Sequence, residues 1–180
     1  MQSPTELILL YALIPVWLLA GLADWRCHYR SDIAHTSGVK ESAIHMLMFL
    51  EAGLALLCGL LLQVNALMLV LFLVLLILHE ITAIWDLSYA NSRRTITTVE
   101  QHVHSFLEVL PFMAFASLCA LHWDQWKALF GEGAGDFSLA WKQAPLPAAY
   151  TGTVITVAAG VVFMAYVEEF YRCLKAARRG

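Results

Sequence analysis

The stretch Ala66–Leu78, ALMLVLFLVLLIL, carries no polar side chain and runs on through His79-Glu80-Ile81-Thr82-Ala83-Ile84-Trp85 to Asp86. A helix needs about 20 mostly apolar residues to cross a bilayer, and this run is long enough. Four further segments, residues 4–23, 42–62, 105–121 and 147–167, are also apolar enough to span. Composition agrees: 60% of the 180 residues are hydrophobic and 14% charged, against roughly 25% charged in a soluble domain. Mean hydropathy is +0.67. Disorder, a secreted disulfide scaffold and nucleic-acid binding are excluded, the last because the net charge is −3 and no basic face exists. The sequence reads as an all-α polytopic membrane protein with one transmembrane domain over residues 1–180. Its five expected helices cover 4–23 with a continuation to 35, 42–62, 66–85, 98–121 and 147–170. Gln63-Val64-Asn65 is so short a turn that the second and third form an antiparallel hairpin.

Gly21-Leu22-Ala23 resembles a signal-peptide cleavage site, but no positive charge precedes the first apolar run, so a retained helix is expected. Arg26, Arg30, Lys40, Arg93, Arg94, Arg172, Lys175, Arg178 and Arg179 fall on one side of the five spans; only Lys127 and Lys142 fall on the other. The positive-inside rule then puts the N-terminus outside and the C-terminus in the cytoplasm. A bacterial inner membrane is the expected location. Trp25 and Trp85 fall at one set of helix ends, and Trp123, Trp126 and Trp141 bracket the long loop opposite, as an aromatic belt does. Trp123, Trp126 and Phe130 fit a short helix lying on that surface. Cys27, Cys58, Cys119 and Cys173 form no CxxC pair, which argues against disulfides and a thiolate metal site.

The chemistry gathers at the basic end. His28, His35, His45, His79, His102 and His104 all belong there, among Asp24, Asp32, Glu41, Glu80, Asp86, Glu100 and Glu108. Asp24/His28, Glu41/His45 and His104/Glu108 are four apart, and His79, Thr82 and Asp86 are spaced i, i+3, i+7, so each set shares a helical face. Continuation of the first helix would add Asp32 and His35 to its stripe. Mixed imidazole and carboxylate ligands suit iron, manganese or zinc. Asp24, His28, Glu41, His45, His79, Asp86, His104 and Glu108 are the candidate ligands of about two metal ions, iron first, as in four-helix di-metal bundles. His102, His35, Asp32 and Glu100 stand as supporting or alternate groups, and Glu80 and Glu51 as catalytic acids or bases. His102 lies about 200° around the helix from His104, so only one of them can face a given metal. Plainer explanations compete. Any single pair can be a helix-surface contact in the headgroup zone, and Thr97-x-x-Glu100 is a capping box. Glu51, about 9 Å deeper than His45 at 1.5 Å per residue, could line a substrate cavity, carry protons or link helices. Pro111 is expected to kink its helix and open space. The Glu168-Glu169 pair, next to the basic tail, reads as a solvated helix end.

Acidic and histidine ligands at the cytosolic ends of a few spans, here over residues 24–108, resemble in plan the integral-membrane di-iron fatty acid desaturases and hydroxylases. That resemblance implies dioxygen activation, hydroxylation or desaturation of an apolar chain, and a cytoplasmic electron donor. The HxxxH and HxxHH clusters of that class are missing; His102-Val103-His104 is the nearest element. His79-Glu80 echoes the zinc-protease HExxH, but Ala83 stands where the second histidine is required. A zinc hydrolase of lipid amides or esters, a b-type cytochrome with haem between His45, His79 and His104, and a proton- or metal-coupled transporter remain as alternatives. Membrane lipids are expected partners, nucleic acid is not, and small residues at Gly152, Ala158, Ala159 and Gly160 allow close packing within the chain or between copies.

Overall fold

The computed structural model describes residues 3–179. Five helices are long and apolar enough to cross a membrane: α1 (Pro4–Arg30), α2 (Gly38–Leu61), α3 (Ala66–Asn91), α4 (Thr98–Leu121) and, after a short α5 (Trp123–Ala128), α6 (Ala148–Ala177). They close into a ring in which α1 packs on α4, α4 on α3, α3 on α2, α2 on α6 and α6 back on α1. The outside of the ring is hydrocarbon, with Leu19, Leu54, Ile84 and Phe112 all more than 45% exposed. Lipid is as apolar as leucine, so burial of leucine does not drive this packing. The polar residues do the opposite of what they do in water: Asp24, His28, Glu41, His45, His79, Asp86, Glu100 and Glu169 are buried.

The helix boundaries have local causes. Ser3 Oγ accepts from the Glu6 amide at 3.1 Å, with Pro4 at the first helical position. Asn65 Oδ1 caps α3 by accepting from Met68 N at 3.1 Å, and Asn65 Nδ2 donates to the Ser138 carbonyl at 2.7 Å. Asn65→Ala should therefore lower stability by about 1–2 kcal/mol, read as an earlier thermal midpoint in detergent. The segment after α5 is strapped across the α2–α3 turn by main-chain bonds, Gln63 N to Ala140 O at 2.8 Å and Lys142 N to Leu61 O at 3.0 Å.

Several helix boundaries differ from the sequence expectation. Helix α1 stops at Arg30, because Asp32 takes a left-handed conformation (φ 51°) and turns the chain into a short 3-10 segment, Ile33–His35. Aspartate tolerates this region, and a left-handed residue just beyond a helix is a common terminator. Ile33 and Ala34 then pack on Cys173 near the end of α6. Helices α2 and α3 also run further than expected, to Gly38 at the start of one and Asn91 at the end of the other. Two π-helical segments interrupt the ring, Leu9–Leu13 in α1 and Ala158–Phe163 in α6. All four cysteines are free thiols.

Candidate metal centre

Every helix of the ring sends a titratable side chain to one buried point. From α1 come Asp24 and His28, from α2 Glu41 and His45, from α3 Asp86, from α4 Glu100 and His104, and from α6 Glu169. The i, i+4 spacing within α1, α2 and α4 aligns each acid with its histidine on the inner face.

Glu169 organises the histidines. Its Oε2 lies 3.0 Å from His28 Nδ1 and its Oε1 2.8 Å from His45 Nδ1, and the two rings stack at 4.2 Å with 8° between planes. An ionised carboxylate only accepts hydrogen bonds, so both histidines carry a proton on Nδ1 and donate it to Glu169. In the neutral ring this leaves each Nε2 lone pair free, pointing the other way. His28 Nε2 is 3.4 Å from Asp24 Oδ1 and 3.6 Å from Glu100 Oε1. His45 Nε2 is 3.2 Å from Asp86 Oδ1 and 3.9 Å from Glu41 Oε1. His104 Nε2 approaches Asp24 Oδ1 at 2.9 Å. Asp24 Oδ1, His28 Nε2, His45 Nε2 and Asp86 Oδ1 are buried with no hydrogen-bond partner among the described residues. Buried polar atoms are nearly always satisfied, so these four, with only the His104 ring close to Asp24 Oδ1, could together hold a cation. Ligand atoms of Asp24, His28 and His104 lie within 4.8 Å of one another, as do those of His28, Glu41 and His45.

Arg94, from the α3–α4 loop, closes the centre. Its guanidinium donates from Nε and Nη2 to Glu41 at 3.2 and 2.6 Å, and from Nη1 and Nη2 to Glu100, the Nη1 bond being 3.0 Å. Burial disfavours the guanidinium charge, but its hydrogen bonds to Glu100 and Glu41 outweigh that and raise the arginine pKa above its ordinary value. Tyr166 lies behind Asp24, its hydroxyl 3.1 Å from both Asp24 Oδ2 and the Gly21 carbonyl.

The charge balance is informative. Asp24, Glu41, Asp86, Glu100 and Glu169 are all buried, and among the described residues Arg94 is the one arginine or lysine bound to them. Were all five ionised and the histidines uncharged, five carboxylates less one guanidinium would leave four negative charges, and uncompensated buried charge is very costly. Two divalent cations would neutralise that excess with the histidines uncharged, the state in which imidazole ligates.

The other sequence candidates fall in different places. Glu100, a supporting group in the sequence, lies inside the cluster. Thr97 Oγ1 accepts from Glu100 N at 3.2 Å, as a capping box requires; the Glu100 side chain goes to Arg94 instead of back to Thr97. His79 turns Nδ1 toward Glu51 Oε2 at 3.5 Å. Glu108 is half-buried and lines a small cavity of about 30 Å³ with Asp24, His45, His79, Asp86 and His104. Glu80 is half-buried and joins none of these contacts. His102 is exposed, with its ring edge-on to Phe106. Asp32 and His35 are exposed and pair with each other at 2.9 Å; the left-handed turn at Asp32 takes them off the Asp24/His28 face. His35→Ala should leave metal content and thermal midpoint unchanged, since exposed pairs contribute at most about 1 kcal/mol.

Glu169 and Arg94 are the two members the sequence reading missed. Glu168, its neighbour, does behave as a solvated residue, accepting from Trp25 Nε1 and Arg172 Nε. No family model, curated protein or solved structure matches this chain.

Proposed function

We propose that the chain is an integral-membrane metalloenzyme holding about two metal ions, iron in the first instance, and that it hydroxylates or desaturates a lipid or other apolar substrate. The observation that carries this is Glu169, one carboxylate that fixes two histidines with both Nε2 atoms turned to further buried carboxylates. Carboxylate–histidine pairs of this kind orient metal ligands and raise their basicity. Asp24, His28, Glu100 and His104 would hold one ion, and Glu41, His45 and Asp86 the other. Such a carboxylate-rich set favours iron or manganese over metals that prefer thiolate. Bound iron would supply the redox chemistry with dioxygen.

The chain's own residues do the rest. Trp17, Phe49 and Val162, with Asp24, His45 and Tyr166, line a cavity of about 90 Å³ beside the cluster, a place for an apolar chain. Glu108, without a hydrogen-bond or ion-pair partner among the described residues, lines the small cavity and would hold or release a proton near Asp24 and His104. The excess of basic residues at this end of the bundle supports a cytoplasmic site in a bacterial inner membrane, supplied by a cytoplasmic electron donor. The same unpaired Glu108 favours zinc-dependent lipid hydrolysis as the second reading, with Glu108 as base. A b-type haem is disfavoured, because His45 has carboxylates on both ring nitrogens within 4 Å.

Metal analysis of the purified chain tests this. About two ions per chain are expected, lost together when His45→Ala and His104→Ala are combined. Less than about one ion, unchanged in that double variant, would sink the proposal. Zinc with no dioxygen dependence would select hydrolysis.

A further inference from the structure

Deeper in the bundle a second polar group stands in hydrocarbon. Glu51 of α2 and His79 of α3 border a cavity of about 110 Å³ whose other walls are apolar, among them Leu13, Trp17, Leu75, Leu110 and Phe115. Thr82 Oγ1 lies 3.0 Å from Glu51 Oε1 and 2.9 Å from the Leu78 carbonyl. That links α2 to α3 but engages only one carboxyl oxygen. Glu51 Oε2 and His79 Nδ1 are buried, 3.5 Å apart and without a hydrogen-bond partner among the described residues. This is longer than a good hydrogen bond between them. Ionisable groups within a membrane are costly and are retained for function.

We propose that Glu51 and His79 form a binding subsite for the hydroxyl of an aliphatic alcohol. Its role as the anchor of the enzyme's substrate rests on the metal-centre reading. The chemistry of the pair selects the ligand. A hydroxyl both donates and accepts, so it can accept from a protonated Glu51 and donate to His79 Nδ1, satisfying both atoms. A bare hydrocarbon leaves both unsatisfied, and a carboxylate has no proton to give His79 Nδ1 and would bring a charge into an apolar cavity. The cavity is of the order of the ~150 Å³ engineered cavity that takes up benzene, so it holds several methylenes.

This cavity adjoins the one of about 90 Å³ beside the cluster. Trp17, Ala52, Leu56 and His79 line both, and the second reaches Asp24, His45 and Tyr166. Glu51 is six residues past His45, about 9 Å along the helix, so an anchored molecule can extend its chain toward the cluster. Each π-helical segment lines one cavity, Leu9, Leu10 and Leu13 the first, Ala158 and Val162 the second. Such insertions widen a helix locally and recur at functional sites. Pro111 also lines the first; it lacks the amide that would bond the Leu107 carbonyl.

The probe is ω-bromoundecanol, whose bromine quenches indole fluorescence on contact, titrated into purified full-length protein of measured metal content. Trp17→Phe identifies the cavity signal. Saturable, Trp17-dependent quenching is expected, about 10-fold tighter than for bromoundecane, the worth of one or two hydrogen bonds. Glu51→Gln, which keeps a donor, should retain it; Glu51→Leu and His79→Phe should each weaken it about 10-fold. Equal affinity for bromoundecane, tighter binding of ω-bromoundecylamine, or undiminished binding in Glu51→Leu overturns the subsite. Metal without selective alcohol binding removes the subsite alone. Selective alcohol binding by a chain that takes up no metal removes the metal reading and leaves the subsite standing.

Discussion

Glu169→Leu is expected to lower metal affinity by at least about 100-fold, measured by competition with a chelator of known affinity. Outer carboxylates that hold ligating histidines are each worth about 10–100-fold, and this one holds two, through Oε2 to His28 and Oε1 to His45. Leucine fills similar space but accepts nothing, so both Nδ1–H groups lose their partner and both rings are free to rotate. Glu169→Gln should fall between the two. Its one carbonyl oxygen can accept from a single histidine, while its amide meets the other as a second donor. Affinity unchanged in Glu169→Leu would show that the two histidines do not ligate through Nε2.

Arg94→Leu should destabilise the metal-free protein by about 3–5 kcal/mol, the effect of removing one partner from a buried ion pair. Glu41 and Glu100 are fully buried, and both lose their cation together. A melt in detergent with a chelator present should show the fall in thermal midpoint. Added divalent metal should recover much of it, since the incoming charge compensates the same carboxylates. Arg94→Lys should recover little, because an ammonium cannot make the forked contacts that the guanidinium makes to two carboxylates. An unchanged midpoint under chelation would mean that Glu41 and Glu100 are not both ionised there.

The sequence shows the fold because a membrane span is a composition: Ala66–Leu78 needs no partner to be recognised. It also shows three acid–histidine stripes, because four-residue spacing sets a helical face before any helix has a neighbour. What it hides is contact between elements. Glu168 and Glu169 look alike beside a basic tail, yet they differ by about 100° around the helix. A signal did exist: Val162, Tyr166, Glu169 and Cys173 follow i, i+4, i+7, i+11, an inward stripe whose members are all buried, and Glu168 is off it. Arg94 had no such signal. It lies in a loop, where periodicity is silent, and loop arginines look alike whether they fix orientation or reach into the core. The fate of Asp32 and His35 turned on one left-handed residue, which aspartate permits but does not announce.

A ring to which each of five helices gives at least one member of a common charged centre has a consequence for biogenesis. Helices inserted one after another leave the first four holding acids and histidines that lack their final partner, until α6 brings Glu169 into place. A chain inserted only as far as α4 thus leaves the Nδ1 atoms of His28 and His45 without that acceptor. Insertion of α6 is therefore the step at which His28 and His45 gain their shared acceptor.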